Sequence, residues 1–121
     1  MKCFDLTGKV AIITGGNGGL GLGIAKGLAS EGCAVALVGR NQEKIDKAVA
    51  EMKEVGATAI GVQADVSKED DVNRMVAETV EQLGRVDILF NNAAISWGVA
   101  PEKLTIEDWD QFIAIDLKSC F

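Results

Sequence analysis

Short apolar runs alternate with amphipathic segments along most of the chain. The runs occupy residues 10–14, 34–38, 58–63 and 86–90, and β-branched and aliphatic side chains dominate them. Apolar runs of this length, bounded by glycine or polar residues, are typical of strands that are buried on both faces. The sequence therefore predicts four β-strands.

Each of the first three runs is followed by apolar residues at helical spacing. The recurring positions are Leu20, Ile24 and Leu28, then Ile45, Ala48 and Met52, then Val72, Met75 and Val80. This spacing places each set on one face of a helix. A last helix is predicted from Thr105 to the final residue, Phe121.

Polar residues before three of these helices suit capping positions. Asn41 is predicted to cap the second helix. Ser67 with Asp70, and Thr105 with Asp108, have the spacing of a capping box for the third and fourth helices.

Strands that alternate with helices in this way predict an α/β fold with a parallel sheet, and right-handed crossovers favour the strand order 3-2-1-4. We expect one Rossmann-type, doubly wound domain over residues 1–121. Such sheets usually continue past a fourth strand, so the domain is expected to be truncated. Its fourth strand would then be an apolar edge that a partner or further chain covers.

Net charge and hydropathy exclude several classes of partner. A net charge of −6 repels phosphate backbones, so no nucleic-acid partner is expected. No apolar stretch reaches the roughly 18 residues that a membrane helix needs. The first residues lack the layout of a secretory signal, which predicts a cytoplasmic protein.

The cysteine, histidine and tyrosine content limits the chemistry that is open to this chain. Its three cysteines are far apart, which predicts reduced thiols and no metal site. Histidine and tyrosine are absent from the sequence. The commonest general base and the phenolic acid are therefore unavailable to any mechanism carried by these residues.

The strongest local motif is the glycine-rich segment of residues 14–21, between the first predicted strand and helix. It fits the pattern Gly16-x-Gly18-x-x-Gly21 and also Thr14-Gly15-x-x-x-Gly19-x-Gly21. Glycines here let backbone amides approach a pyrophosphate, and the helix N-terminus adds a favourable dipole. A merely flexible turn is the alternative. The position of the motif favours dinucleotide binding.

The second pattern resembles the first turn of the short-chain dehydrogenase/reductase family, TGxxxGxG. Asp65-Val66 after the third strand and Asn91-Asn92-Ala93-Ala94 after the fourth match further family motifs. The resemblance covers essentially the whole chain. It implies an oxidoreductase that interconverts a small-molecule alcohol and ketone. Residues 4–9, taken together with residues 19–23, look like the gluconate dehydrogenase and 3-oxoacyl reductase branches.

The resemblance also implies the site residues. Asp65 would hydrogen-bond the adenine and Val66 would flank it, while Asn92, Ala93 and Ala94 would line the cofactor. The other expected cofactor-binding residues are Gly15, Asn17, Gly19, Leu20, Gly21 and Arg40. Without the glycine motif, Asp65 and Asn92 would read as ordinary loop residues.

Cofactor choice is predicted from the end of the second strand. An acidic residue about 20 positions after the glycines would grip the ribose hydroxyls of NAD. Gly39 stands there instead, followed by Arg40, whose guanidinium can pair with a 2′-phosphate. The sequence thus favours NADP(H) over NAD(H), with a solvated surface arginine as the alternative.

Two positions depart from the family pattern. Ala94 replaces a glycine, which predicts a restricted backbone beside the nicotinamide. Asp116 replaces the asparagine of the catalytic tetrad, and either a catalytic role or an ordinary surface acid fits it. The family's serine and its Tyr-x-x-x-Lys pair would follow Phe121, so this chain is expected to be inactive alone.

Two other functions stay open at this point. A non-catalytic dinucleotide-binding module would need the same glycine motif. A methyltransferase that uses S-adenosylmethionine has a similar first loop but is disfavoured by Arg40 and Asn92. The resemblance further implies that the complete protein is a homo-oligomer, associating through the helix that begins at Thr105 and the helix after it.

Overall fold

A computed structural model describes residues 3–121, so Met1 and Lys2 lie outside the described part of the chain. The strands are β1 (Val10–Thr14), β2 (Ala34–Gly39), β3 (Ala59–Gln63) and β4 (Ile88–Phe90). The α-helices are α1 (Gly19–Ser30), α2 (Gln42–Glu54), α3 (Glu69–Leu83) and α4 (Ile106–Phe112). The alternation of strand and helix that the hydrophobic pattern predicts is thus present.

The four strands form one parallel sheet in the order β3-β2-β1-β4, which confirms the predicted order. The register aligns Ile12 with Ala36 of β2 on one side and with Leu89 of β4 on the other. The chain reverses its direction of winding between β1 and β4. In open sheets of this type, ligands bind beside the carboxyl ends of the strands at that reversal.

Apolar layers cover both faces of the sheet. On one face, Ile13 and Leu37 pack with Ala25 of α1 and Met52 of α2. The opposite face carries Ile12, Ala36, Val38 and Val62, which pack with Met75 of α3. Because strand side chains alternate between faces, the continuous apolar runs of β1 and β2 are buried on both. The helices lie on both sides, so the doubly wound fold is confirmed.

Two of the three predicted caps are confirmed. The Asn41 side chain accepts the Lys44 amide hydrogen bond at 3.0 Å. Thr105 and Asp108 form a reciprocal capping box, each side chain accepting the other residue's amide at 3.1 Å.

The predicted Ser67 cap is wrong. Helix α3 begins one residue later than this cap requires, with Lys68 at the N-cap position and no side-chain cap among the described residues. The Ser67 hydroxyl instead donates to Asp65 Oδ1 at 2.6 Å. A hydrogen bond from a hydroxyl to an ionised carboxylate is stronger than one from a backbone amide to a hydroxyl. The Ser67 side chain therefore bonds Asp65 rather than capping the helix.

The predicted continuous last helix is also wrong. Helix α4 ends at Phe112, a π-helical turn follows over Ile113–Leu117, and a 3₁₀ turn occupies Lys118–Cys120. Within the π turn, Asp116 Oδ1 accepts the Ile95 amide at 2.8 Å. Single π turns are frequent at functional sites.

Strand β4 is an exposed apolar edge, as the sequence predicted. It pairs with β1 on one side, and no strand among residues 3–121 pairs with the other. The side chains of Leu89 and Phe90 are substantially exposed. Within the same described range, no helix is long and apolar enough to cross a bilayer.

The carboxylate of Asp87 forms a hydrogen bond with the first residue of β1. Its Oδ2 accepts the Val10 amide at 2.9 Å, and its Oδ1 accepts two hydrogen bonds from Arg85. The Arg85 bonds, followed by the Val10 bond, lower the pKa of Asp87 from its ordinary value. A carboxylate whose pKa is lower in the folded state stabilises the fold at pH values above its pKa in the unfolded state, which is near 4. That stabilisation is lost as the pH falls through the pKa of the folded state.

We therefore expect the Asp87→Asn variant to be less stable than the wild type at pH 7, with the difference shrinking below about pH 4. Urea unfolding from pH 7 to pH 2.5 measures it. Asp110→Asn, at an exposed carboxylate on α4, is the control. A difference that stays constant across the range would show that Asp87 does not stabilise the fold through its charge.

Candidate functional site

The glycine loop leaves the carboxyl end of β1 in a fixed conformation. Gly15 and Gly19 have φ values of +65° and +53°, a left-handed region that favours glycine. The Gly16 amide donates to the Val38 carbonyl at 3.2 Å, which ties the loop to β2. A Cβ on Gly16 would lie 2.8 Å from the Ile13 carbonyl oxygen. Backbone geometry thus requires these glycines, which disfavours a merely flexible turn.

The N-terminus of α1 is open to a ligand. Gly18 is the N-cap residue, and no side chain of the described residues caps this helix or places an acid in its first turn. A Cβ on Gly18 or Gly19 would meet nothing within 4 Å. The first amides of a helix have no intrahelical acceptor, so they are available to an anion here.

Gly21 brings α1 against the loop after β4. A Cβ at this position would overlap the Gly15 carbonyl oxygen and lie 2.6 Å from Asn92 Nδ2. The Asn92 amide group itself donates to the Gly15 carbonyl at 3.3 Å. Gly21 and Asn92 therefore hold the glycine loop, the helix and the loop after β4 in contact.

Thr14 joins the same two loops, and the sequence reasoning gave it no role in the site. Its buried hydroxyl donates to the Phe90 carbonyl at 3.2 Å and accepts the amides of Asn92 and Ala93 at 3.0 Å each. The signal in the sequence was its position, as the last residue of a buried strand directly before the glycines. A polar side chain there has few partners other than the neighbouring strand end.

A cavity of about 420 Å³ opens at the carboxyl ends of the strands. Eight of the residues that the sequence predicted to bind the cofactor line it: Gly15, Asn17, Arg40, Asp65, Val66, Asn92, Ala93 and Ala94. Lining residues that the sequence did not predict include Gly39, Asn41, Lys44 and Ile95. The volume is within the range of small-molecule sites.

Four predicted residues do not line this cavity. Gly19 lies at the exposed start of α1, and the Leu20 side chain is 76% exposed. Gly21 is buried beneath the loop, where it acts through packing. One carboxylate oxygen of Asp116 accepts a hydrogen bond from the Ile95 amide. Its two predicted roles, as a catalytic residue or as an ordinary surface acid, both stay predictions.

Asp65 is held as a carboxylate by its own loop. Its Oδ1 accepts from both the amide and the hydroxyl of Ser67, and its amide donates to Asp71 Oδ2. The hydroxyl bond from Ser67 is the main cause that lowers the pKa of Asp65, with smaller contributions from Lys68 and Arg40. At neutral pH the group is therefore ionised and can only accept hydrogen bonds.

Ala94 lines the cavity without backbone strain. No residue other than glycine has a positive φ among residues 3–121. The alanine therefore adopts an ordinary backbone at the position where the family pattern has glycine. Across the same residues, no group of three or more His, Cys, Asp or Glu side chains is arranged to hold a metal ion.

The geometry fits a dinucleotide. An uncapped helix N-terminus, a close-packed glycine loop and a cavity meet where the strand order reverses, and together these are typical of the dinucleotide-binding class of α/β folds. The profile of the short chain dehydrogenase family matches residues 9–121. The chain belongs to this family.

Named relatives agree with that assignment. A 2-dehydro-3-deoxy-D-gluconate 5-dehydrogenase of Formosa agariphila is 39% identical over 98% of this chain and 45% of its own length. A 3-oxoacyl-(acyl-carrier-protein) reductase of Staphylococcus epidermidis is 38% identical over 93% of this chain and 47% of its own. Both branches expected from the sequence are thus represented.

A solved structure matches the fold closely. A short chain dehydrogenase from Burkholderia cenocepacia in complex with NADP superposes with a TM-score of 0.89 and 35% identity, over 96% of this chain and 48% of that one. The chain thus spans about half the length of the relatives it matches.

Proposed function

We propose that this chain is the NADP(H)-binding half of an oxidoreductase that interconverts an alcohol and a ketone. The observation that carries the proposal is the uncapped N-terminus of α1, which meets a close-packed glycine loop beside a cavity. Family membership supports the reaction class. Of the two relatives described above, one is named a dehydrogenase and the other a reductase.

Each group in the cavity has a role suited to its chemistry. Amides of residues 15–21 would bind the pyrophosphate. The Asp65 carboxylate would accept a hydrogen bond from the adenine amino group, and Val66 would pack against the ring. Asn92, Ala93 and Ala94 would line the nicotinamide end. A bound nicotinamide supplies the hydride exchanged with the substrate carbon.

Proton exchange at a substrate oxygen most often relies on histidine or tyrosine side chains. No tyrosine or histidine occurs in its 121 residues. We therefore expect the chain alone to bind cofactor without turnover, as a non-catalytic dinucleotide-binding module also would. Assembly into a homo-oligomer stays a prediction for the complete protein.

Arg40 supports NADP(H) over NAD(H). Gly39 leaves no carboxylate to bind the ribose hydroxyls or repel a phosphate, and the exposed Arg40 side chain lines the cavity beside it. Among the described residues, no carboxylate lies within 4.0 Å of the Arg40 guanidinium as an ion pair. The relative in complex with NADP agrees with this preference.

Titration with NADPH and NADH tests the cofactor assignment. The Arg40→Gln variant should bind NADPH about tenfold more weakly or worse, as expected for loss of a charge-assisted hydrogen bond, and NADH about equally well. Lys53→Gln, which removes the same charge from the far end of α2, is the control. A wild-type chain that prefers NADH would refute the assignment.

A further inference from the structure

Two side chains of α3 hold the backbone at the end of β3. Arg74 donates a hydrogen bond from Nη2 to the Gln63 carbonyl at 2.6 Å. Asp71 accepts the Asp65 amide on Oδ2 at 2.8 Å. The two side chains also attract each other, because Asp71 Oδ1 lies 3.6 Å from Arg74 Nη2. The backbone on both sides of Ala64 is therefore fixed to one helix.

The Asp71 carboxylate bonds a different amide from the one that its position in the helix predicts. Asp71 is the third residue of α3, and an acid there usually accepts the amide of the N-cap residue, which is Lys68. The Lys68 amide instead donates to the Asp65 carbonyl at 3.0 Å. Asp71 reaches six residues back along the chain, to the amide of Asp65. Its carboxylate thus holds a residue that lines the cavity.

The two carboxylate oxygens of Asp65 have different surroundings. Oδ1 accepts the amide and the hydroxyl of Ser67, at 3.0 Å and 2.6 Å. Within residues 3–121, Oδ2 accepts no hydrogen bond and takes part in no ion pair within 4.0 Å. Ser67 fixes the side chain of Asp65 and Asp71 fixes its backbone. One acceptor oxygen therefore remains for a ligand, in a direction that the protein sets.

Arg74 is itself held by its own helix. Its Nη1 donates to Glu78 Oε1 at 3.1 Å, one turn further along α3. Neither Asp71 nor Arg74 belongs to the residues that line the cavity of about 420 Å³. Both could act on a ligand there only through the backbone that they hold, and through Asp65 in particular.

We propose that Asp71 and Arg74 are positioning residues, which hold Asp65 so that its free oxygen accepts a hydrogen bond from the amino group of adenine. The inference rests on the proposed function and concerns the choice of purine base. Hypoxanthine has a carbonyl oxygen in place of that amino group, and a carboxylate oxygen repels it. Discrimination between the two bases therefore depends on where Asp65 is held.

Binding calorimetry with NADPH, and with its analogue in which hypoxanthine replaces adenine, measures this discrimination without any need for turnover. The wild type should bind NADPH about tenfold more tightly, as expected for a hydrogen bond to a charged group. Asp71→Ala leaves the Asp65 amide without its acceptor and should reduce the preference to about twofold. Asp71→Asn keeps an acceptor oxygen and should retain most of the preference.

Arg74→Met tests the same role at a more exposed position. It removes the hydrogen bond to the Gln63 carbonyl and leaves the Asp71 carboxylate in place. Because Arg74 is about half exposed, we expect a partial effect, with a preference of about fivefold. This variant keeps the inference testable if Asp71→Ala does not fold, which urea unfolding shows.

Asp70→Ala is the matched control. Asp70 is exposed in the same first turn of α3, so its loss should cost the helix dipole a similar amount. Its preference for NADPH should stay at the wild-type value. A merely structural role for Asp71 would lower the affinity for both dinucleotides by the same factor and leave their ratio unchanged. That result would overturn the inference.

The wild-type measurements separate this inference from the proposed function. A wild-type chain that binds the two dinucleotides equally well would overturn the adenine contact and the role of Asp71 and Arg74, with NADPH binding intact. A wild-type chain that binds neither dinucleotide would overturn the proposed function as well.

Discussion

Replacing Gly21 with alanine should displace the glycine loop from the loop after β4 and remove most cofactor binding. The new Cβ would overlap the Gly15 carbonyl oxygen and press on the Asn92 amide, both of which belong to loops with little room to shift. We expect a loss of about 1–3 kcal/mol of stability, the usual cost of overpacking. Displacement of the loop amides should lower the affinity for NADPH by about tenfold or more.

Gly23→Ala is the matched control for this variant. Gly23 lies in the same helix two residues later, and a Cβ there would meet nothing within 4 Å. Alanine at an open helix position should raise stability by about 0.5–1 kcal/mol. Urea unfolding and NADPH titration measure both variants. Equal affinity of the two for NADPH would contradict the packing role given to Gly21.

Replacing Thr14 with valine should cost about 2–3 kcal/mol, because it removes a buried hydroxyl that makes three hydrogen bonds. Valine keeps the shape of the side chain, so the loss comes from the polar contacts. The Ala93 amide would lose its acceptor, and the Phe90 carbonyl one of its donors. The loop that carries Asn92 would then be loosely held, and NADPH affinity should fall with stability.

Thr14→Ser separates the hydroxyl from the methyl group. Serine keeps the hydrogen bonds and loses one buried methyl, so the cost should be about 1 kcal/mol or less, with NADPH affinity close to wild type. Chemical denaturation gives the stabilities of both variants. If serine were as damaging as valine, the methyl group and not the hydroxyl would fix the two loops.

Much of the fold followed from periodicity. Continuous apolar runs predicted strands buried on both faces, and alternation with helices predicted the order that the sheet adopts. The cap at Asn41 and the box at Thr105 were visible because their partners lie a few residues away. Local chemistry of this kind can be read from the sequence.

The errors arose where a competing contact was stronger or distant in sequence. Ser67 had the spacing of a cap, but Asp65 two residues earlier accepts its hydroxyl. The last helix changes to a π turn, where the Asp116 carboxylate meets the Ile95 amide 21 residues away. The regular helical pattern of this segment contained no sign of that contact.

The site was predicted best where its motif is local. The glycine loop was predicted from its spacing and its position between a strand and a helix, whereas its partners after β3 and β4 were implied by the family resemblance. Most of these residues line one cavity. Thr14 and Lys44 were missed because their importance depends on which loops the sheet brings together. Thr14 bonds atoms 76 to 79 residues away. Lys44 lines the cavity because the first turn of α2 lies beside the end of β2.

The most direct test of the central claim is amide chemical-shift mapping of the ¹⁵N-labelled chain during titration with NADPH. The account predicts that the largest saturable shifts occur at residues 15–21, with others at Arg40, Asp65 and Asn92. NADPH that leaves the amides of residues 15–21 unmoved, or shifts only residues remote from the cavity, would contradict it.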